Sequence, residues 1–121
     1  MANSCYKRFN KLELKKKNLV ALSDAAATLT AVQLVDSGIF TITPTQARDL
    51  TTDTAVNIIA KFRDVEVGTT FEFTVVCLAA FAVTLKAGNG VTIIGNAIAN
   101  NSSATFIARI DSATTVKIYR K

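Results

Sequence analysis

Histidine is absent from the 121 residues. Its absence removes the commonest general base near neutral pH, the usual partner of a serine or cysteine nucleophile, and the commonest metal ligand. The carboxylates Asp36, Asp49, Asp53, Asp64, Glu66, Glu72 and Asp111 remain. Most fall in turn-like segments or beside a helix start, where aspartate is frequent for capping reasons alone. Asp49 and Asp53, with threonines between and beside them, are the one calcium-like stretch, but the dense ligand spacing of a calcium loop is lacking and the pair reads as a surface acid plus a helix cap. Gly88-Asn89-Gly90 joins two strand-like runs rather than a strand and a helix, so it is not a phosphate cradle. The expectation is a protein that is not an enzyme, with no cofactor, no metal and no small-molecule substrate.

The chemistry that is concentrated is cationic. Lys7, Arg8, Lys11, Lys15, Lys16 and Lys17 stand against the single acid Glu13 in the first 20 residues, a sum of +5, which is the net charge of the whole chain. The other 101 residues carry eight basic and eight acidic groups and sum to zero. With Tyr6 and Phe9 nearby, such a segment can neutralise phosphates and stack on bases. It can equally lie on an acidic protein surface or an anionic leaflet, or keep an apolar body in solution. Docking onto other protein is the preferred reading, and these six cations are the expected partner-binding residues.

Half of the residues are hydrophobic and the mean hydropathy is +0.31. A chain of this length makes one core without disulfides or metal, and so apolar a composition suggests surface covered by copies of itself or by other proteins. Cys5 and Cys77 read as free thiols, which favours a reducing compartment. The apolar run Asn18 to Leu22 meets Ser23 and Asp24, far short of a membrane span or a signal-peptide core, so no transmembrane segment is expected.

The expected layout is a basic arm over residues 1–24, either solvated or partly helical from Lys7 to Leu19, and a single β domain over 25–121. Leu29 to Val35 is a helical turn or a strand, broken by Gly38. Ile39 to Thr43 alternates as a strand and stops at Pro44. Thr45 to Thr52 reads as polar loop, and Asp53 or Thr54 caps one short helix, about 54–62, with Val56, Ile59, Ala60 and Phe62 at helical spacing. Thr70 to Leu78 is the strongest strand. Ala82 to Lys86 and Val91 to Ile94 flank Ala87-Gly88-Asn89-Gly90 and read as a hairpin. Asn100 to Ser103 turns, Thr105 to Ile110 alternates, and Thr115 to Tyr119 closes the chain. Short strands at such intervals predict a compact antiparallel β-sandwich or jelly-roll-like barrel, with Phe71, Phe73, Val75, Val83, Leu85, Phe106 and Ile118 in its core.

The stretches VGTTFEFTVV, AFAVTLKAGNGVTIIG, NSSATFIARI and VKIYR, preceded by TAVNIIAKF, follow one another between residues 54 and 120. This succession resembles small β domains of structural proteins of large double-stranded DNA viruses and tailed phages, over residues of about 39–121. The resemblance implies a virion component of minor capsid, cement or fibre type, oligomeric, located in the virion and in host cytoplasm during assembly, with self-association and other capsid proteins as partners. Two alternatives stand beside it. One is a nucleic-acid-binding packaging protein that uses the arm. The other is a receptor-binding fibre head whose loops Thr45 to Thr52 and Asn96 to Ser103 hold a ligand.

Overall fold

Among the described residues, alternating β-branched and polar residues build ten short strands, and successive strands pass back and forth between two sheets. The structure, a computed structural model, describes residues 17–63 and 65–121. The first sheet receives β1 (Leu19–Ala21), β3 (Ile39–Ile42), β5 (Thr70–Cys77) and β7 (Val91–Ile94). The second receives β2 (Ala27–Leu29), β4 (Arg48–Thr52), β6 (Val83–Lys86) and β8 (Ala97–Ile98). Then β9 (Ser103–Ile110) and β10 (Val116–Arg120) both return to the first. The spatial orders are β1-β3-β5-β9-β10-β7 and β2-β4-β6-β8.

The chain is therefore mainly β, in two sheets with little helix, but the expected antiparallel sandwich or jelly roll is not what forms. Strands β1, β3 and β5 are mutually parallel, as are β2, β4 and β6, and β10 runs parallel to β7. Only β5 with β9, β9 with β10, and β6 with β8 are antiparallel. Parallel neighbours need a long crossover, usually a helix. Here the crossover is a strand of the opposite sheet, so the chain coils through three stacked turns, β1–β2, β3–β4 and β5–β6, with almost no helix.

The same coiling corrects two local expectations. Ala87 to Gly90 does not close a hairpin, because β6 lies in the second sheet and β7 in the first. It is an arch between sheets, packed so closely that a Cβ on Gly88 would sit 2.5 Å from the carbonyl oxygens of both Thr52 and Asp53. Gly88 donates its N–H to Thr52 Oγ1 at 2.9 Å, and Ala55 donates to the Asn89 carbonyl at 2.9 Å. Nor is Thr45 to Thr52 all loop. Leu50 and Thr52 are buried, and from Arg48 onward the segment is β4, the middle turn's contribution to the second sheet.

The helix α1 spans Ala55–Ile59. Thr54 is its cap, accepting from the Asn57 N–H at 3.2 Å. Beyond Ile59 the chain tightens into i to i−3 bonds, Lys61 to Ile58 and Phe62 to Ile59, and the regular helix ends sooner than expected. Held by its cap against Asn89, α1 turns Ala55 and Ile58 inward and leaves Val56 exposed, so the anticipated apolar set is not the buried one. Residues 33–37, after β2, form one π-helical turn closed by Gly38 at φ 80°, whose N–H reaches the Gln33 carbonyl at 2.9 Å.

Between the sheets lie Phe40, Phe73 and Phe106 with Leu29, Leu34, Leu50, Ile58, Leu85, Ile98 and Ile118, all essentially without solvent contact. Phe73 stacks on Phe106 with centroids 5.2 Å apart, and Phe40 meets Phe73 edge-on at 6.3 Å. Burial of each such side chain contributes roughly 1.5–3 kcal/mol. Of the seven expected core residues, six are buried. Phe71 is half-buried, packed on Phe62 with centroids 5.8 Å apart.

Candidate functional site

Lys17 is the one arm cation within the described residues; Lys7, Arg8, Lys11, Lys15 and Lys16 lie outside them. Its ammonium donates to the Glu72 carbonyl at 3.2 Å, and its stem passes over Gly38, where an added Cβ would stand 3.4 Å from Lys17 Cδ. Two residues later the chain is already β1, so Leu19–Ala21, expected in the arm, is an edge strand of the body. Lys17 thus stands at the rim of the first sheet, beside its edge strand β1.

Lys17 borders a groove of about 380 Å³ lined by Val35, Asp36, Phe62, Thr70, Phe71 and Glu72. Its two carboxylates are paired: Asp36 with Lys61 at 3.0 Å, and Glu72 with Lys121 at 3.3 Å. The groove has an aromatic floor and a charged rim, the chemistry of a packing surface for an aliphatic or aromatic side chain.

The outer faces of the sheets differ. On the second sheet, Asp49 and Lys86 stand among Thr28, Thr51 and Thr84. On the first, registers place Leu19, Ile39, Thr74 and Thr105 in one row and Ala21, Thr41, Val76 and Ser103 in the next. Neither row carries a charge. Thr74 and Thr105 share a hydroxyl hydrogen bond of 3.0 Å, and Leu78, which is exposed, extends the surface beyond the strand. The charges of this face, Glu72, Arg109 and Lys117, sit at its other end. This uncharged half-face was missed in the sequence because it is assembled across four strands.

The carboxylates act structurally. Asp24 accepts from Arg48 Nε at 2.9 Å, from the Thr45 hydroxyl at 2.6 Å and from the Thr45 N–H at 3.1 Å. The Arg48 hydrogen bond, with the two from Thr45, brings its carboxyl down to about 2. Asp53 does not join Asp49 in a cation loop. Asp49 points outward from β4, whereas Asp53 accepts from the N–H groups of Ala31 (2.9 Å) and Thr54 (2.7 Å) and from Asn57 Nδ2 (2.8 Å). Partial burial pushes the Asp53 carboxyl up, and these three bonds outweigh it and lower it. Among the described residues no three His, Cys, Asp or Glu side chains gather as metal ligands. Cys77 is a buried free thiol donating to the Phe81 carbonyl at 3.0 Å. No helix among the described residues is long and apolar enough to cross a membrane.

Comparison with protein-family models, with characterised proteins and with solved structures finds no match for this chain.

Proposed function

We propose that this protein is a structural component of a virion, of minor capsid, cement or decoration type, acting in the particle and in host cytoplasm while the particle is built. The body packs on copies of itself or on other capsid proteins, and Lys7, Arg8, Lys11, Lys15, Lys16 and Lys17 fasten it to a neighbour. The observation that carries this reading is the division of labour along the chain: a segment of net charge +5 precedes a body whose charges sum to zero. Long-range attraction then belongs to the arm and shape to the body. An uncharged half-face on the first sheet supports the body's part, because it has no charge to strip of water on packing. The strand-and-turn resemblance to viral structural domains supplies the biological setting.

The packaging alternative draws on the same cations, and titration of a fluorescently labelled single-stranded DNA oligonucleotide separates the two readings. A shell or cement protein gives no saturable binding at physiological salt. Saturable binding that falls steeply as salt rises, through counterion release, would replace the proposal with a genome-binding role. The fibre-head alternative has less to stand on, since most of Thr45 to Thr52 is strand β4 rather than a free loop.

A further inference from the structure

The two ends of the stacked turns differ at the edge of the second sheet. At the far end, Arg120 donates to the Ala97 carbonyl of β8 at 2.8 Å and lays its stem over Gly95, where an added Cβ would stand 2.8 Å from Arg120 Cβ. A cation over a strand edge is a common device against further pairing. At the near end, the first turn leaves the outer edges of both β1 and β2 without a neighbour among the described residues. The bond from the Leu22 N–H to the Thr41 carbonyl fixes which residues of β1 face β3. By alternation, Leu19 and Ala21 direct their backbone groups outward. The bond from Asp53 N–H to the Leu29 carbonyl leaves Thr28 outward on β2 in the same way.

Within β1 and β2 themselves there is neither a charged side chain nor a proline. Between residues 18 and 35 the only charge is Asp24, and it is turned back onto Arg48 and Thr45 of the second turn. Leu19 is 63% exposed and Val32 54%. Stacked-turn proteins need a polar terminal cap to remain solitary, and residues 18–37 do not form one.

We propose that the first turn is a self-association surface that takes the first turn of a second copy, edge to edge about a two-fold axis, with β1 pairing antiparallel to the partner's β1. The Arg120 guard over β8 blocks head-to-tail stacking that would continue both sheets at once, so the pairing proposed is of the same edge with itself, the isologous case. Antiparallel pairing also sets the two copies of Lys17 at opposite ends of the shared edge, so these like charges are not brought side by side.

The inference rests on the assembly reading, and the two fail separately: oligonucleotide binding overturns that reading, while the test below concerns mass and edge protection. Sedimentation equilibrium of the full chain is expected to give a dimer. Ala21→Pro removes an outward N–H and no bond to β3; Leu19→Lys places a charge on the edge from an exposed position. Both are expected to give folded monomers by circular dichroism, whereas Ile94→Lys at the far end leaves the dimer intact. Hydrogen exchange at the Leu19 and Thr28 amides is expected to be slow in the dimer and fast in Leu19→Lys. A wild-type monomer at about 100 μM, or a dimer indifferent to both edge substitutions, would overturn the inference. A monomer with a protected Leu19 amide would also overturn it, and would mean that the chain's own arm covers the edge.

Discussion

Asp24 and Arg48, 24 residues apart, join the first turn of the coil to the second through a hydrogen-bonded ion pair of 2.9 Å. Because the folded carboxyl sits near 2 against 3.8 in the unfolded chain, its contribution is complete above the unfolded value. That contribution is lost as pH falls through the folded one. Asp24→Asn should therefore melt lower than wild type at neutral pH, and the gap should close between about pH 4 and pH 2. Thermal melts of both proteins across that window check the sign; a gap that widens on acidification would contradict the assignment.

The stacked pair Phe73 and Phe106 lies at the centre of the β5–β9 pairing with no solvent contact. Phe106→Ala should lower unfolding free energy by about 3–5 kcal/mol. Phe71→Ala, at a half-buried position, should cost clearly less. Urea unfolding of the two variants gives the comparison.

Gly88 is required by closeness rather than by backbone angle, since a methyl there would meet main-chain oxygens of Thr52 and Asp53 that no rotamer change can move. Gly88→Ala should destabilise by about 2 kcal/mol or more, and by more than Asn89→Ala in the same arch. Chemical denaturation decides it.

The cap of α1 and the Asp53 network separate by magnitude. Thr54→Ala loses one bond, to the Asn57 N–H, and should cost about 1 kcal/mol. Asp53→Ala strands the Ala31 and Thr54 N–H groups and frees Asn57, so it should cost more, in the range of about 1.5–3 kcal/mol for bonds to a charged acceptor. Equal losses would show that the network adds nothing to the cap.

Strand positions in the second half of the chain were legible because period-two alternation is local: Phe73, Val75 and Cys77 inward along β5, and Ala104, Phe106, Ala108 and Ile110 inward along β9. Gly38 and Pro44 marked the ends of β3 for equally local reasons. What the sequence could not show was which strand pairs with which. The run around Gly88 has hairpin composition, yet Gly88 serves close packing against Thr52 and Asp53 and Gly90 against Thr114 and Ala55, so the chain crosses to the other sheet. β4 was hidden because Arg48, Asp49 and two threonines look like loop, while its inward positions are only Leu50 and Thr52. Of the site, the cationic cluster was plain in the sequence, but the tie between Lys17 and Glu72 and the open edge of the first turn arise only from tertiary pairing.

The central claim is that the body associates through its own surfaces while the arm serves protein rather than nucleic acid. Absolute mass by light scattering, with nucleic-acid absorbance recorded on the same chromatographic peak, tests it most directly. The account predicts a nucleic-acid-free species of two copies or more. A monomer that carries nucleic acid until high salt strips it away would contradict it.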